Sequence, residues 1–409
     1  MSARTFTAQA ASAFVACWRA MLADKAVATV LFVAGLLYSF FYPWPYSGEA
    51  VRRAPVAVVD QDQGSLARQI TRYVGAHPQL AVVAVTASLP EAQDLLWQGR
   101  IVGVLVLPAG LQREVLAGRV ARVEVAGNGA YFLLNKAVLG SMAQAVGTVS
   151  AGIEIKRLEA ATPSARQAAQ QRQPIELRTV ALFNTREGYG SSVVPSVLVL
   201  IIQQTVLIGI ALLMGTWAQE RARTVPTTGP GFVGAWLAFA SAAVLNGLYF
   251  FGWVLVLQDF PRGAGVSGLH GLFAMLALLA VYALVVSAFG LLLGSLFRSR
   301  EGGMQASLYI SVPMLFLAGS SWPAEALPPV LQTLRWALPS TAGVQGFVAL
   351  NQLGASAAEV RHELLALLGL GGVALPLAWW RWQAWPHRDL RADEGGDGAG
   401  EPASGLPAE

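Results

Sequence analysis

Six apolar stretches, each long enough to cross about 30 Å of hydrocarbon at 1.5 Å per residue, dominate this chain of 409 residues. They run Ala26–Tyr46, Val193–Trp217, Phe232–Leu257, Gly271–Phe297, Gly303–Ser320 and Leu364–Trp382. The fifth is the shortest and is interrupted by Pro313. Hydrophobic residues make up 55% of the chain and charged residues 13%, which leaves too little polar surface for an ordinary soluble globule. Such a chain folds as an α-helical integral membrane protein with six transmembrane helices. The first stretch is preceded by some 25 residues and followed by no small-x-small cleavage site, so it reads as an uncleaved anchor.

Six spans put both termini on one side, and short-loop basic residues choose that side. With the termini inside, the inner segments hold Arg4, Arg19, Lys25, Arg221, Arg223, Arg298, Arg300, Arg388 and Arg391. The short outer loops hold only Arg262, Arg335 and Arg361. Arg52, Arg53 and Arg186 go against the rule, but they flank a segment long enough to translocate regardless of charge. The termini are therefore expected in the cytoplasm and residues 47–192 outside it.

Within residues 47–192 the charges return and short β-rich runs alternate with helical ones. Pro55–Asp60, Leu80–Thr86, Arg100–Leu107 and Val120–Ala126 read as strands. Ser65–Gly75, Leu89–Gln98, Gly110–Ala117 and a long stretch from Ala130 to Glu159 read as helices. This is an inserted α/β domain. Residues 160–174 read as a link, Thr5–Asp24 as an amphipathic helix along the inner face, and the Gly-, Ala- and acid-rich tail 386–409 as disordered.

Several chemistries are excluded or disfavoured. A net charge of +4 without Lys/Arg clusters is no nucleic-acid surface. One cysteine, Cys17, supports neither a disulfide framework nor a Cys-rich metal site. The four histidines are dispersed, and His362-Glu363 lacks the second histidine of a zinc helix. Asp60 and Asp62 in VVDQDQGS cap a turn more readily than they bind calcium, because the rest of the calcium-loop pattern is absent. No phosphate-binding GxxxxGK[ST] loop occurs, so the chain has no ATPase site and needs no cofactor of its own. The central parts of the spans hold no Asp, Glu, His, Lys or Arg, which argues against ion coupling. An ion-driven carrier and a membrane-anchored extracytoplasmic receptor or scaffold stay open as alternatives.

Three segments carry the functional signal. They are VAVVDQDQGSLARQI (56–70), LFNTREGYGSSVVPSVL (182–198) and SWPAEALPPVLQTLRWALPSTAGVQGFVALNQLGA, the body of the proline-broken segment Leu317–Ser356. In order and spacing they resemble the permease subunit of a type-2 ABC exporter with a large extracytoplasmic domain between its first two spans. The resemblance covers the chain to about residue 385. It implies a bacterial inner-membrane protein that moves a substrate outward, as a homodimer or with a paralogous permease, using a separate cytosolic ATPase that binds ATP and Mg. It also implies surrounding membrane lipid and, as further partners, a periplasmic adaptor and an outer-membrane channel. Residues 1–25 would be the interfacial elbow helix, and Glu220, Arg221 and Arg223 would lie in the coupling helix. Trp322, Pro323, Pro339 and Asn351 would belong to the outer gate, a re-entrant segment at about 320–356. The connector departs from the family pattern, since Arg223-Thr224-Val225-Pro226 lacks the usual glycine and much of the acidic charge.

Overall fold

A computed structural model describes residues 3–48, 50–161, 183–184, 188–219, 225–260, 262–263 and 268–384. The expected link around 160–174, the connector residues Glu220, Arg221 and Arg223, and the tail 386–409 lie wholly or mostly outside these. The chain forms two units, one from Met1–Ser47 with Ala181–Glu409 and the other from Gly48–Val180.

Helix α1 (Ala3–Ala23) is followed at Asp24 by α2 (Lys25–Tyr46), which contains a π-turn at Thr29–Val33. Asp24 ends the first helix and caps the second, accepting hydrogen bonds from the backbone N–H of Ala26 (3.0 Å) and Val27 (3.2 Å).

In the α/β unit, β1 (Ala54–Asp60), α3 (Ser65–Ala76), β2 (Leu80–Thr86), α4 (Leu89–Trp97), β3 (Gly103–Leu107), α5 (Leu111–Leu116), β4 (Glu124–Gly127) and α6 (Phe132–Ala161) follow in turn. The strands order β2-β1-β3-β4; β1 is parallel to both neighbours, and β4 closes the edge antiparallel to β3. Alternate residues of β1 serve opposite faces, as the two-residue pleat requires. Val56 and Val58 pack with Leu66, Ile70 and Val74 of α3 and with Val138 and Met142 of α6, while Ala57 and Val59 pack with Ala92 of α4. The α6 helix approaches β3 so closely that a side chain at Gly103 would begin 2.4 Å from Val138 Cγ1. The β1–α3 turn is capped as its sequence suggests, with Asp60 accepting from the N–H of Asp62 (3.1 Å) and Gln63 (2.7 Å).

The remaining helices are α7 (Tyr189–Gln219), α8 (Gly229–Leu257, with a second π-turn at Phe250–Val254), α9 (Leu269–Gly294) and α10 (Arg300–Leu317). After them come α11 (Pro329–Leu334), α12 (Pro339–Asn351) and α13 (Arg361–Ala384). The α7 helix is the hub, packed against α9, α10 and α12, and 83% of its most apolar window is buried against 17% for α13. Pro195 sits in its second turn, inside the helix.

Among the described residues, six helices are long and apolar enough to span a bilayer. Five match the expected spans. The other is Phe132–Glu159, the first 28 residues of α6, whose apolar side Val138, Met142, Ala145 and Val149 is taken up by the α/β core. The expected span Gly303–Ser320 is α10, which opens with Arg300, Glu301, Gly302 and Gly303 and so falls outside that set.

Helix α1 packs along α8, and the contact depends on Gly234. A Cβ there would lie 2.5 Å from Ala10 O and 2.6 Å from Ala13 Cβ. Beside it, Trp18 Nε1 donates to Ser241 Oγ (2.9 Å) and Cys17 is fully buried, which pushes its thiol up to about 12. Gly234→Val is expected to lift α1 and expose Cys17, raising its maleimide labelling at neutral pH by about tenfold or more. A thiol as silent as in the parent chain would show that α1 stays seated.

Candidate functional site

The connector expected to hold the coupling residues leaves α7 after Gln219, and the described residues form a rigid collar around that point. Asp24 before α2, Thr216 of α7 and Arg300 of α10 meet there, as far as 276 positions apart in the chain. The Arg300 guanidinium donates through Nη1 to Asp24 Oδ2 (2.5 Å) and through Nη2 to Asp24 Oδ1 (2.6 Å), a two-pronged contact that fixes orientation as well as distance. Arg300 Nη1 also donates to Thr216 Oγ1 (2.5 Å). Both charged side chains are mostly covered, at 26% and 13% exposure. The guanidinium, together with the two backbone N–H groups of α2, holds the Asp24 carboxyl below its ordinary value of 3.8. At Gly215 the backbones of α7 and α10 touch, because a Cβ there would lie 2.6 Å from Arg300 Cα.

The far side of the connector is equally fixed. Val225 is buried, Thr228 caps α8 by accepting from Gly231 N–H (3.4 Å), and a Cβ at Gly231 would overlap Pro226 O. Trp217, Phe232, Trp379 and Trp382 form an aromatic floor with ring centroids 5.3–6.2 Å apart. Arg381 of α13 donates to the carbonyl of Ser295 beyond α9 (2.9 Å). Among the described residues, the end of α7, the starts of α2, α8 and α10 and the end of α13 are each held by such contacts at this pole.

At the opposite end of α7, about 46 Å away by its 31 residues at 1.5 Å each, lies a cavity of about 430 Å³. Its walls come from the start of α7 (Ser191, Ser192, Ser196), the turn after α10 (Gly319, Ser320) and α12 (Gln345, Val348), with Pro323 and Glu325 from the segment before α11. The four gate candidates separate here. Pro323 lines the cavity, and Trp322 beside it is 52% exposed. Pro339 and Asn351 are buried at the two ends of α12, where Asn351 O accepts from Gly263 N–H (2.7 Å). Between the prolines, the segment folds as α11 followed by a 3₁₀ turn at Arg335–Ala337.

Between the two poles the bundle is apolar with a few neutral polar bridges. Tyr282 Oη donates to Val199 O (3.1 Å), Gln204 Nε2 to Ser307 O (2.7 Å), Asn246 Nδ2 to Leu31 O (2.9 Å) and Trp236 Nε1 to Leu284 O (2.8 Å). Each satisfies a buried or half-buried polar group across helices without charge.

The family model for the ABC-2 family transporter protein matches residues 26–380, from the first span to the last. The chain belongs to the ABC-2 transporter family. Its members are membrane transport subunits and not themselves the ATPase, so this is a multi-pass transport permease. The permease is 26% identical over 371 residues to the inner membrane transport permease YhhJ of Escherichia coli K12, covering 88% of this chain and 93% of that one. The protein of that name from Shigella flexneri matches to the same extent.

Sequence reasoning missed two residues of this permease. Asp24 directly before an apolar run carries a visible helix-cap signal, but nothing local pairs it with Arg300. Arg335 was expected in a short outer loop and is instead 92% buried, its guanidinium 5.2 Å from the ring of Trp336.

Proposed function

We propose that this permease is the membrane-spanning half of an ATP-driven exporter whose power comes from a separate cytosolic ATPase. ATP and Mg belong to that partner. Both termini and the Asp24–Thr216–Arg300 collar face the cytoplasm of a bacterial cell, and the α/β unit lies outside the inner membrane. Two permease copies, identical or paralogous, pair in the lipid, and the α/β unit meets an adaptor that continues to an outer-membrane channel.

The observation that carries the reading is the collar. The helices on either side of the connector are anchored, α7 through Thr216 in the collar and α8 through its Thr228 cap, so a force delivered there acts on held helix ends. A rigid helix 31 residues long passes that displacement to the cavity at the other pole, where Trp322, Pro323, Pro339 and Asn351 act as the gate. Coupling requires two packings of this bundle that the ATPase favours to different degrees.

The test is copurification. The tagged permease should retain a cytosolic ATPase in detergent extracts, and Glu220→Ala with Arg221→Ala should cut both its retention and export by about tenfold or more, the loss expected for charged contacts at an interface. Undiminished ATPase binding by that double variant would remove the docking role from these residues.

A further inference from the structure

The electrostatic character of the cavity at the start of α7 depends on a charge that lies outside its walls. Directly behind it sits Arg335, more than nine-tenths buried. Its described contacts are all uncharged: Gln345, whose carboxamide oxygen accepts from Nη1 (3.2 Å) and Nη2 (2.8 Å) when turned to face it, and the Trp336 ring. No carboxylate among the described residues pairs with it. A buried guanidinium left without a counter-charge is costly, and its field reaches into any neighbouring space that water does not screen. Gly319 and Gln345, which line the cavity, both lie against its guanidinium. At Gly319 (φ +86°) the place a side chain would start is 3.3 Å from Arg335 Nη1, so the absence of that side chain opens the wall toward the charge.

The walls offer donors to match. Ser320 Oγ lies buried at the cavity without any hydrogen-bond partner, and Ser191, Ser192 and Ser196 line the opposite side. Two other charges need weighing. Glu325 also lines the cavity, but it is exposed, so water screens it as it does not screen Arg335. The C-terminal carbonyls of α10 and the N-terminal N–H groups of α7 bring opposite partial charges to the same space and offset each other. The guanidinium decides the sign.

We propose that this cavity binds the anionic group, phosphate, sulfonate or carboxylate, of an amphiphile or other small molecule. Arg335 supplies the field, and Ser192 and Ser320 supply the hydrogen bonds. The assignment deepens the exporter reading by making the cavity a stop for anionic cargo, but the binding itself needs no ATPase.

Thiol labelling tests it on the full chain in phosphatidylcholine nanodiscs, where Cys17 is buried and silent. In Ser192→Cys, a negatively charged methanethiosulfonate should outpace its positively charged counterpart by about tenfold, once each rate is divided by that for free mercaptoethanol. Arg335→Lys should keep most of that ratio and Arg335→Gln should bring it to about one. Phenyl phosphate should slow labelling several-fold, whereas phenyltrimethylammonium should not. Protection by phosphatidylglycerol in the disc but not by phenyl phosphate would assign the anionic site to a lipid headgroup; protection by phenyl phosphate assigns it to a soluble cargo. A parent ratio at or below one, or labelling indifferent to both anions, overturns the proposal and leaves the ATPase reading untouched.

Discussion

Replacing Arg300 by alanine is expected to destabilise the permease by about 2 kcal/mol and to reduce export further than the lost stability explains. Removing one member of a fully buried ion pair costs about 3–5 kcal/mol because the other charge is stranded, and the partial exposure of this pair lowers that figure. Asp24 would keep its role as the cap of α2, so the loss reports the tie to α7 and α10. The pH dependence has a definite sign. The Asp24 carboxyl titrates lower in the folded protein than its ordinary 3.8, so the unfolded chain binds the proton more readily. The stabilisation is therefore complete above about pH 4 and fades as the pH falls through the depressed folded value. Thermal unfolding in detergent should show the parent losing more stability in acid than Arg300→Ala, which keeps only the part that the two cap N–H groups supply. Parallel curves for the two would mean that the pair contributes nothing.

A second large effect is expected at the opposite pole. Gly343 of α12 lies against the ring of Tyr282, where a Cβ would be 2.3 Å from Cε2, and Tyr282 is itself buried and bonded to Val199 of α7. Gly343→Val must push α12 away from α9 and α7, at a cost of about 3 kcal/mol, the upper part of the range for overpacking. Gly369→Val is the control, since nothing lies within 4 Å of a Cβ there and α13 would lose no contact. A lowered unfolding temperature and lost export for the first variant, with the second close to the parent, is the expected pair of results. Equal behaviour would show that α12 can shift without consequence.

Much of this architecture is legible in the amino-acid order because it rests on periodicities. Hydrocarbon thickness sets the length of the spans, and the alternation in PVAVVD and LAVVAV marks strands covered on one or both faces. Helix α6 shows where length and hydropathy alone mislead, since Phe132–Glu159 is apolar enough to span yet gives its apolar side to a sheet. The site was far less visible. Asp24 and Arg300 are joined only by tertiary packing, and no window of the sequence contains both. Arg335 illustrates the converse: a positive charge between prolines reads as a loop residue, and only the fold of α11 and α12 around it reveals that it is enclosed.

The two π-turns have a consequence for chains that differ in length. At Thr29–Val33 and Phe250–Val254 the helices α2 and α8 each carry one residue more than regular α-geometry needs, and Asn246 Nδ2 takes up the Leu31 carbonyl within the first. Deleting a single residue inside either turn would restore the regular ladder and rotate everything on one side by about 100°. Gly35, which faces Phe250 and Asn246, would then swing out toward lipid. Insertions and deletions in these two membrane segments are therefore changes of facing direction, and they must be matched in both helices for the seam between them to survive.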